Sequence, residues 1–201
     1  MEQVPSKSEN LNYLIIGNGK LARHLSHYFD LENIQFSTWD RSLNTNLTES
    51  ILKSDIILIL ISDDYIEEFY QENLLSYGKK CIHFSGALTI DRVKGLHPLN
   101  MFGQELMGLD EYRKQIFVCD EGLDFKNTFP KLKNQFYSIP VAKKAYYHAL
   151  CVMAGNFTTF LWEKVQSSFE SDLGLPAETL TEYMKTVMTN LQQEQPSFTG
   201  P

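Results

Sequence analysis

Tyr13-Leu14-Ile15-Ile16-Gly17-Asn18-Gly19-Lys20-Leu21-Ala22 is a short apolar run that stops at Gly17, followed by the pattern G-x-G-x-x-A. The pattern opens an amphipathic segment over residues 21–29. Strand, glycine turn and helix in that order are the context a dinucleotide-binding fingerprint requires. Gly17 permits the tight turn, and Gly19 lets the backbone approach a pyrophosphate. Ala22 keeps the helix close to the strand, and the free N–H groups at the helix start face the phosphates. The candidate cofactor-binding turn is therefore Gly17, Asn18, Gly19, Lys20, Leu21 and Ala22. The plain alternative is a glycine turn that only joins strand to helix.

Outward from this turn the chain alternates. Strands are predicted at 13–16, 34–38, 55–61, 80–84, 95–97, 115–119 and 136–139. Helical or turn segments are predicted at 20–29, 47–53, 65–75 and 123–136. Such alternation predicts βαβ units and an α/β, Rossmann-type doubly wound parallel sheet. Residues 55–61 are almost continuously apolar, as a central strand covered on both faces should be. After Pro140 the character changes. Ala145, Ala149, Val152, Met153, Phe157, Phe160, Leu161 and Val165 recur at helical spacing. One long helix of roughly 25 residues is predicted there, then a break at Gly174-Leu175-Pro176 and a second helix to about residue 193. The layout expected is a loose tail over 1–10, a dinucleotide-binding domain over 11–140 and a short all-helical domain over 141–201.

The 201 residues carry a net charge of −7 and contain no basic run, which argues against general nucleic-acid binding. No apolar run reaches the ~18 residues of a membrane span, and residues 1–10 are too polar for a signal peptide. Cys81, Cys119 and Cys151 are odd in number and set among apolar residues, which predicts buried reduced thiols and a cytoplasmic protein. His24, His27, His83, His97 and His148 show no metal-ligand spacing, so no metal site is expected.

The second predicted strand runs into Asp40-Arg41-Ser42, about 20 residues beyond the glycine turn, where the adenosine ribose is usually met. An acid there suits the ribose diol of NAD, whereas Arg41 with the Ser42 hydroxyl suits the 2′-phosphate of NADP. The reading favours NADP and leaves NAD open. Ser62, at the end of the third strand, is a helix N-cap that also borders the expected crevice. Asp63 and Asp64 should point away from phosphate. Ser85 follows the fourth strand and is placed for cofactor or substrate contact rather than as a nucleophile. His97, at the end of the next strand, titrates near neutrality and is the candidate acid or base. His148 and Asn156 lie on the long helix, about 80° apart in an α-helix. Each of the three is equally readable as structural.

Four of these elements together resemble one family. They are Ile15–Ala22, Ser85-Gly86-Ala87-Leu88, Gly95-Leu96-His97-Pro98-Leu99, and the helix from Lys144-Ala145-Tyr146-Tyr147-His148-Ala149 to Ala154-Gly155-Asn156-Phe157. In order and spacing they are similar to the DUF2520 family of Rossmann-like NADP-dependent oxidoreductases, related to 6-phosphogluconate dehydrogenases and pyrroline-5-carboxylate reductases. The resemblance implies a cofactor at Gly17–Ala22 and a helical domain used for homodimerisation. Its Gly-Leu-His-Pro element is similar to a segment of prephenate dehydrogenases, which implies hydride transfer near His97. Two departures stand out. Asp40 occupies a place where relatives more often carry a neutral residue. The chain also ends at Thr199-Gly200-Pro201, where relatives continue into further helices, so the resemblance implies a shortened helical domain.

The function expected is NADP(H)-dependent hydride transfer to or from a small molecule held between the dinucleotide-binding domain and the C-terminal helix. His97, His148 and Asn156 are the candidate catalytic residues. A non-catalytic NADP(H) sensor is the alternative.

Overall fold

The computed structural model describes residues 11–43 and 45–192. The expected tail at 1–10 and the Thr199-Gly200-Pro201 end lie outside these residues. The chain divides into two compact units, Met1–Ala149 and Leu150–Pro201.

The first unit is built on a seven-stranded sheet. Its strands are β1 (Asn12–Ile16), β2 (Gln35–Trp39), β3 (Ile56–Ile59), β4 (Lys80–His83), β5 (Lys94–Pro98), β6 (Phe117–Asp120) and β7 (Phe136–Ile139). They lie in the order β2-β1-β3-β4-β5-β6-β7. β1 pairs in parallel with β2 on one side and with β3 on the other, so the winding direction reverses between β1 and β3. In sheets of this kind ligands bind at that reversal, outside the carboxyl ends of the strands. The fold is a Rossmann-like α/β sheet. One pair departs from the parallel expectation: β6 runs antiparallel to β5, and β7 follows β6.

Alternate residues of the central strands feed two cores. Tyr13, Ile15, Ile56 and Leu58 face one core, with Leu25, Tyr28 and Phe29 of α1 (Lys20–Leu31). Leu14, Ile16, Ile57 and Ile59 face the other. There they meet Ile51 of α2 (Leu47–Lys53) and Ile66, Phe69 and Tyr70 of α3 (Asp63–Asn73). Burial on both faces explains why β1 and β3 read as unbroken apolar runs. Each such side chain removed from water contributes roughly 1.5–3 kcal/mol.

Two helical segments differ from expectation. The helix predicted over 123–136 is only the single turn α5 (Phe125–Thr128). Pro130 disfavours helical backbone at Phe129, whose φ is −135°. A short helix, α4 (Leu109–Lys114), forms where none was predicted. It starts where Glu111 Oε2 accepts the Gly108 N–H at 2.8 Å. Arg113 then donates to both oxygens of Glu32 at 2.6 and 2.9 Å, tying α4 to the end of α1. That fork holds the Glu32 carboxyl below the usual range.

The long predicted helix is present but not uniform. A single 3₁₀ turn, Val141–Lys143, leads into α6 (Lys144–Val152). A π-helical turn (Met153–Phe157) and α7 (Thr158–Leu173) follow. The α-helical arithmetic that separated His148 from Asn156 by about 80° does not apply across a π turn. In the second unit, α7 ends at Gly174 with a left-handed φ of 66°. α8 (Thr179–Leu191) follows, with Tyr183 edge-on to Trp162 of α7. Phe157, Phe160 and Leu161 are exposed. No helix among the described residues is long and apolar enough to cross a membrane.

Candidate functional site

The carboxyl ends of β1, β2 and β3 enclose a cleft of about 440 Å³. Its walls include Gly17, Asn18 and Gly19 from the first turn, Trp39, Asp40, Arg41 and Ser42 after β2, and Ser62 after β3. The two turn glycines answer different needs. Gly17 has φ +123°, and a Cβ there would lie 2.2 Å from the Leu60 carbonyl oxygen, so the protein itself requires glycine. A Cβ on Gly19 would meet nothing within 4 Å. Its absence keeps the cleft clear instead of relieving a packing clash.

The start of α1 is open to a ligand. Gly19 is its N-cap, no side chain caps it, and its first turn holds no acidic residue. Its free N–H groups and the positive end of the helix dipole therefore favour an anion. These features fit a dinucleotide diphosphate. Of the remaining fingerprint residues, Lys20 is exposed, Leu21 packs against the first core and Ala22 is buried.

At the far end of the cleft the Asp40 carboxylate is already engaged. Its Oδ1 accepts the Ser42 N–H at 2.7 Å and the Ser42 hydroxyl at 2.5 Å. These bonds hold its carboxyl below the usual range. Arg41 is exposed on the cleft wall and makes no ion pair among the described residues. Ser62 occupies the N-cap position of α3 but makes no side-chain cap bond.

Next along the sheet edge stands a second group of polar residues. Ser85 is buried, donates to Asp63 Oδ2 at 2.5 Å and accepts from the N–H groups of Ala87 and Leu88. Its hydroxyl is fully committed to this turn and to Asp63, beside Ser62. Gly86 then passes beneath two imidazoles. A Cβ there would lie 2.4 Å from His148 Nδ1 and 3.1 Å from His97 Nε2. The two rings stand edge to face, 5.9 Å between centres. His97 Nδ1 is 2.8 Å from the Tyr147 hydroxyl. His148 Nδ1 is buried and meets no hydrogen-bond partner among the described residues. A buried polar atom left so costs about 1–3 kcal/mol, and such atoms mark strained or functional places.

The structure thus brings His97 and His148 together. Asn156 lies exposed on the π turn of the second unit. Sequence reasoning missed Tyr147 and Gly86 as parts of the imidazole site. It also passed over Lys144 and Asp120, which form a buried ion pair. The spacing Lys144, Tyr147, His148 (i, i+3, i+4) was a signal that one helix face carried all three. Among the described residues no group of three or more His, Cys, Asp or Glu side chains is placed to hold a metal ion.

Burial keeps two histidines neutral. It pushes His97 down to about 4, helped by His148 and Lys144 and opposed by Asp63. His83 is likewise lowered to about 4, by burial and then by Lys144, against Asp120. The unfolded chain binds these protons near the ordinary histidine value of about 6.5. The stability held by the neutral rings is complete above that pH and falls as pH drops toward 4. Urea melts at about pH 7 and pH 5 are expected to differ by roughly 2–4 kcal/mol. Equal stability at both would contradict the neutral assignment.

Residues 123–201 match the model of a family described as a domain of unknown function, DUF2520. No curated protein matches the chain. Among solved structures, the chain is similar to BF3122 of Bacteroides fragilis, a candidate NADP oxidoreductase. The TM-score is 0.78 at 16% identity, over 97% of this chain and 86% of that one. It is also similar to protein TM1727 of Thermotoga maritima, with TM-score 0.69 at 23% identity over 94% and 83%. A third is the pyrroline carboxylate reductase of Plasmodium falciparum with NADP bound, TM-score 0.66 at 14% identity over 93% and 81%. At these identities the likeness is one of fold.

Proposed function

We propose that this chain, whose residues 123–201 match the DUF2520 family model, is an NAD(P)-dependent oxidoreductase. The observation that carries the reading is the cleft at the β1/β3 reversal, with an uncapped helix start and a Gly19 that no protein atom requires. Two of the similar folds are described as a candidate NADP oxidoreductase and as a reductase with NADP bound, which supports the same reading.

The helix start of α1 and the Gly17–Gly19 backbone would hold the diphosphate. Asp40 is tied to Ser42, and Arg41 stands free to meet a 2′-phosphate, so NADP is the preferred form. The bound nicotinamide supplies or takes the hydride. The protein supplies the proton. Taken with the Tyr147 hydroxyl as the donor to Nδ1, His97 would carry its proton on Nε2, on the Gly86 side. A neutral ring of this kind would donate a hydrogen bond to a carbonyl oxygen or imine nitrogen. As its Nε2 proton passes to the substrate, the Tyr147 hydroxyl would return one to Nδ1 and be reprotonated from water, so that no imidazolate is left. His148 would orient the substrate from the opposite side of Gly86. The substrate class is a small carbonyl, imine or the corresponding alcohol or amine.

The test is NADPH oxidation against a panel of small carbonyls and imines, with His97→Ala as the comparison. The enzyme reading predicts a loss of kcat of about 100-fold or more with NADPH affinity retained. Equal turnover in both proteins would remove His97 from the chemistry. A protein that binds NADPH and turns over nothing would favour the sensor.

A further inference from the structure

β5 shows Gly95 and His97 on one face, two residues apart, and α6 shows Lys144, Tyr147 and His148 on one face. These two faces meet residue by residue. Lys144 Nζ lies 2.8 Å from Asp120 Oδ1, with both side chains at most 5% exposed. Asp120 Oδ2 accepts the Gly95 N–H at 2.6 Å. The same ammonium is 3.4 Å from His83 Nε2. A Cβ at 95 would stand 2.1 Å from Lys144 Nζ and 3.0 Å from Asp120 Oδ2, so a side chain there would displace the ammonium from this place. One turn along α6, Tyr147 meets His97 and His148 closes on Gly86.

We infer that Lys144 is a positioning residue for the imidazole site: clamped on Asp120 above Gly95, it fixes the first turn of α6 so that Tyr147 and His148 face His97. The inference rests on the reading of His97 as the proton-transfer group. A buried ion pair is a poor source of net stability, and neutral groups of similar size often replace one at no loss. Its value here lies in registry. The pair locks β6, β5 and α6 at the point where the two rings are aligned. Lys144 also acts through its charge. Tyr147 and His148 of α6 meet His97 directly; by charge, His148 and Lys144 of α6 oppose a proton on the ring while Asp63 of α3 favours it.

The experiment follows the histidine Cε1 resonances by NMR through a pH titration, with His97→Ala assigning the signal. Lys144→Met leaves the Asp120 carboxylate buried and unpaired, so that variant can fail to fold. The pair Lys144→Gln with Asp120→Asn leaves no lone charge and keeps an acceptor for the Gly95 N–H. In a cooperatively melting double variant, the His97 midpoint is expected to rise by about half a pH unit or more. The His97 and His148 signals should also shift in position. A folded double variant with both signals and the His97 midpoint unchanged overturns the proposal. Failure of the underlying reading looks different. His97→Ala would then keep full turnover while the Lys144 variant still moved the two ring signals.

Discussion

Replacing Gly17 by alanine is expected to destabilise the protein by at least ~3 kcal/mol. Two independent terms add at this position. An L-residue at φ +123° sits in a strained backbone region, and its Cβ would be driven to 2.2 Å from the Leu60 carbonyl oxygen and 2.8 Å from its carbon. Neither atom can yield cheaply. The Leu60 N–H is bonded to the Ile16 carbonyl at 2.8 Å, and the Gly17 N–H to the Trp39 carbonyl at 2.9 Å. The turn therefore joins the ends of β1, β2 and β3, and moving it disturbs all three. For a chain of this size the loss corresponds to a fall in Tm of roughly 6–12 °C. A melt within a degree or two of wild type would show that the turn accommodates a side chain.

Gly19→Val should give the opposite result. Gly19 has φ −67° and ψ 178°, a conformation open to any residue, and its missing Cβ faces empty space. Stability should stay within about 0.5 kcal/mol of wild type. NADPH affinity is expected to fall by about 100-fold or more, equivalent to ~2.7 kcal/mol. The valine would occupy the approach to the α1 N–H groups, and a diphosphate held at a distance loses both hydrogen bonds and the field of the helix end. Titration of the folded variant with NADPH provides the check. Unchanged affinity would show that the cleft holds no diphosphate at this turn. The two glycines, two positions apart, separate what the fold requires from what the ligand requires.

Much of the architecture was legible in the chain because one physical signal was strong. Strands buried on both faces read as unbroken apolar runs, and helices between them read as stripes, so β1 to β5 and β7 emerge close to their true limits. The direction of β6 did not. The 18 residues from Leu99 to Ile116 that connect β5 to β6 allow either sense, and nothing in Phe117–Asp120 encodes polarity. α5 stops after one turn because of Pro130, a breaker lying inside the apolar pattern that suggested a longer helix. The π turn at Met153–Phe157 leaves no mark on composition.

The site was legible in parts. Gly17, Gly19, Arg41, Ser42 and Ser62 line one cleft, as their places at strand ends imply. Ser85 reads from sequence as a group awaiting a ligand, but its hydroxyl is taken by Asp63 and by its own turn. Lys144 and Asp120 were hidden for a general reason. A charged residue in a sequence reads as solvated unless its partner is known, and this pair is 24 residues apart and joined only by the fold. Gly86 and Gly95 were visible as motif residues. Their purpose, making room for His148 and Lys144, appears only when α6 is laid against the sheet.

The measurement closest to the central claim is a titration of the intact protein with NADPH and, separately, NADH. Intrinsic fluorescence is a suitable reporter because Trp39 lines the cleft. The cleft geometry predicts saturable quenching by NADPH at micromolar concentration, with NADH binding at least about 10-fold more weakly because it brings no 2′-phosphate to Arg41. Absence of saturable binding by either dinucleotide would contradict the assignment of the cleft and, with it, the proposed activity.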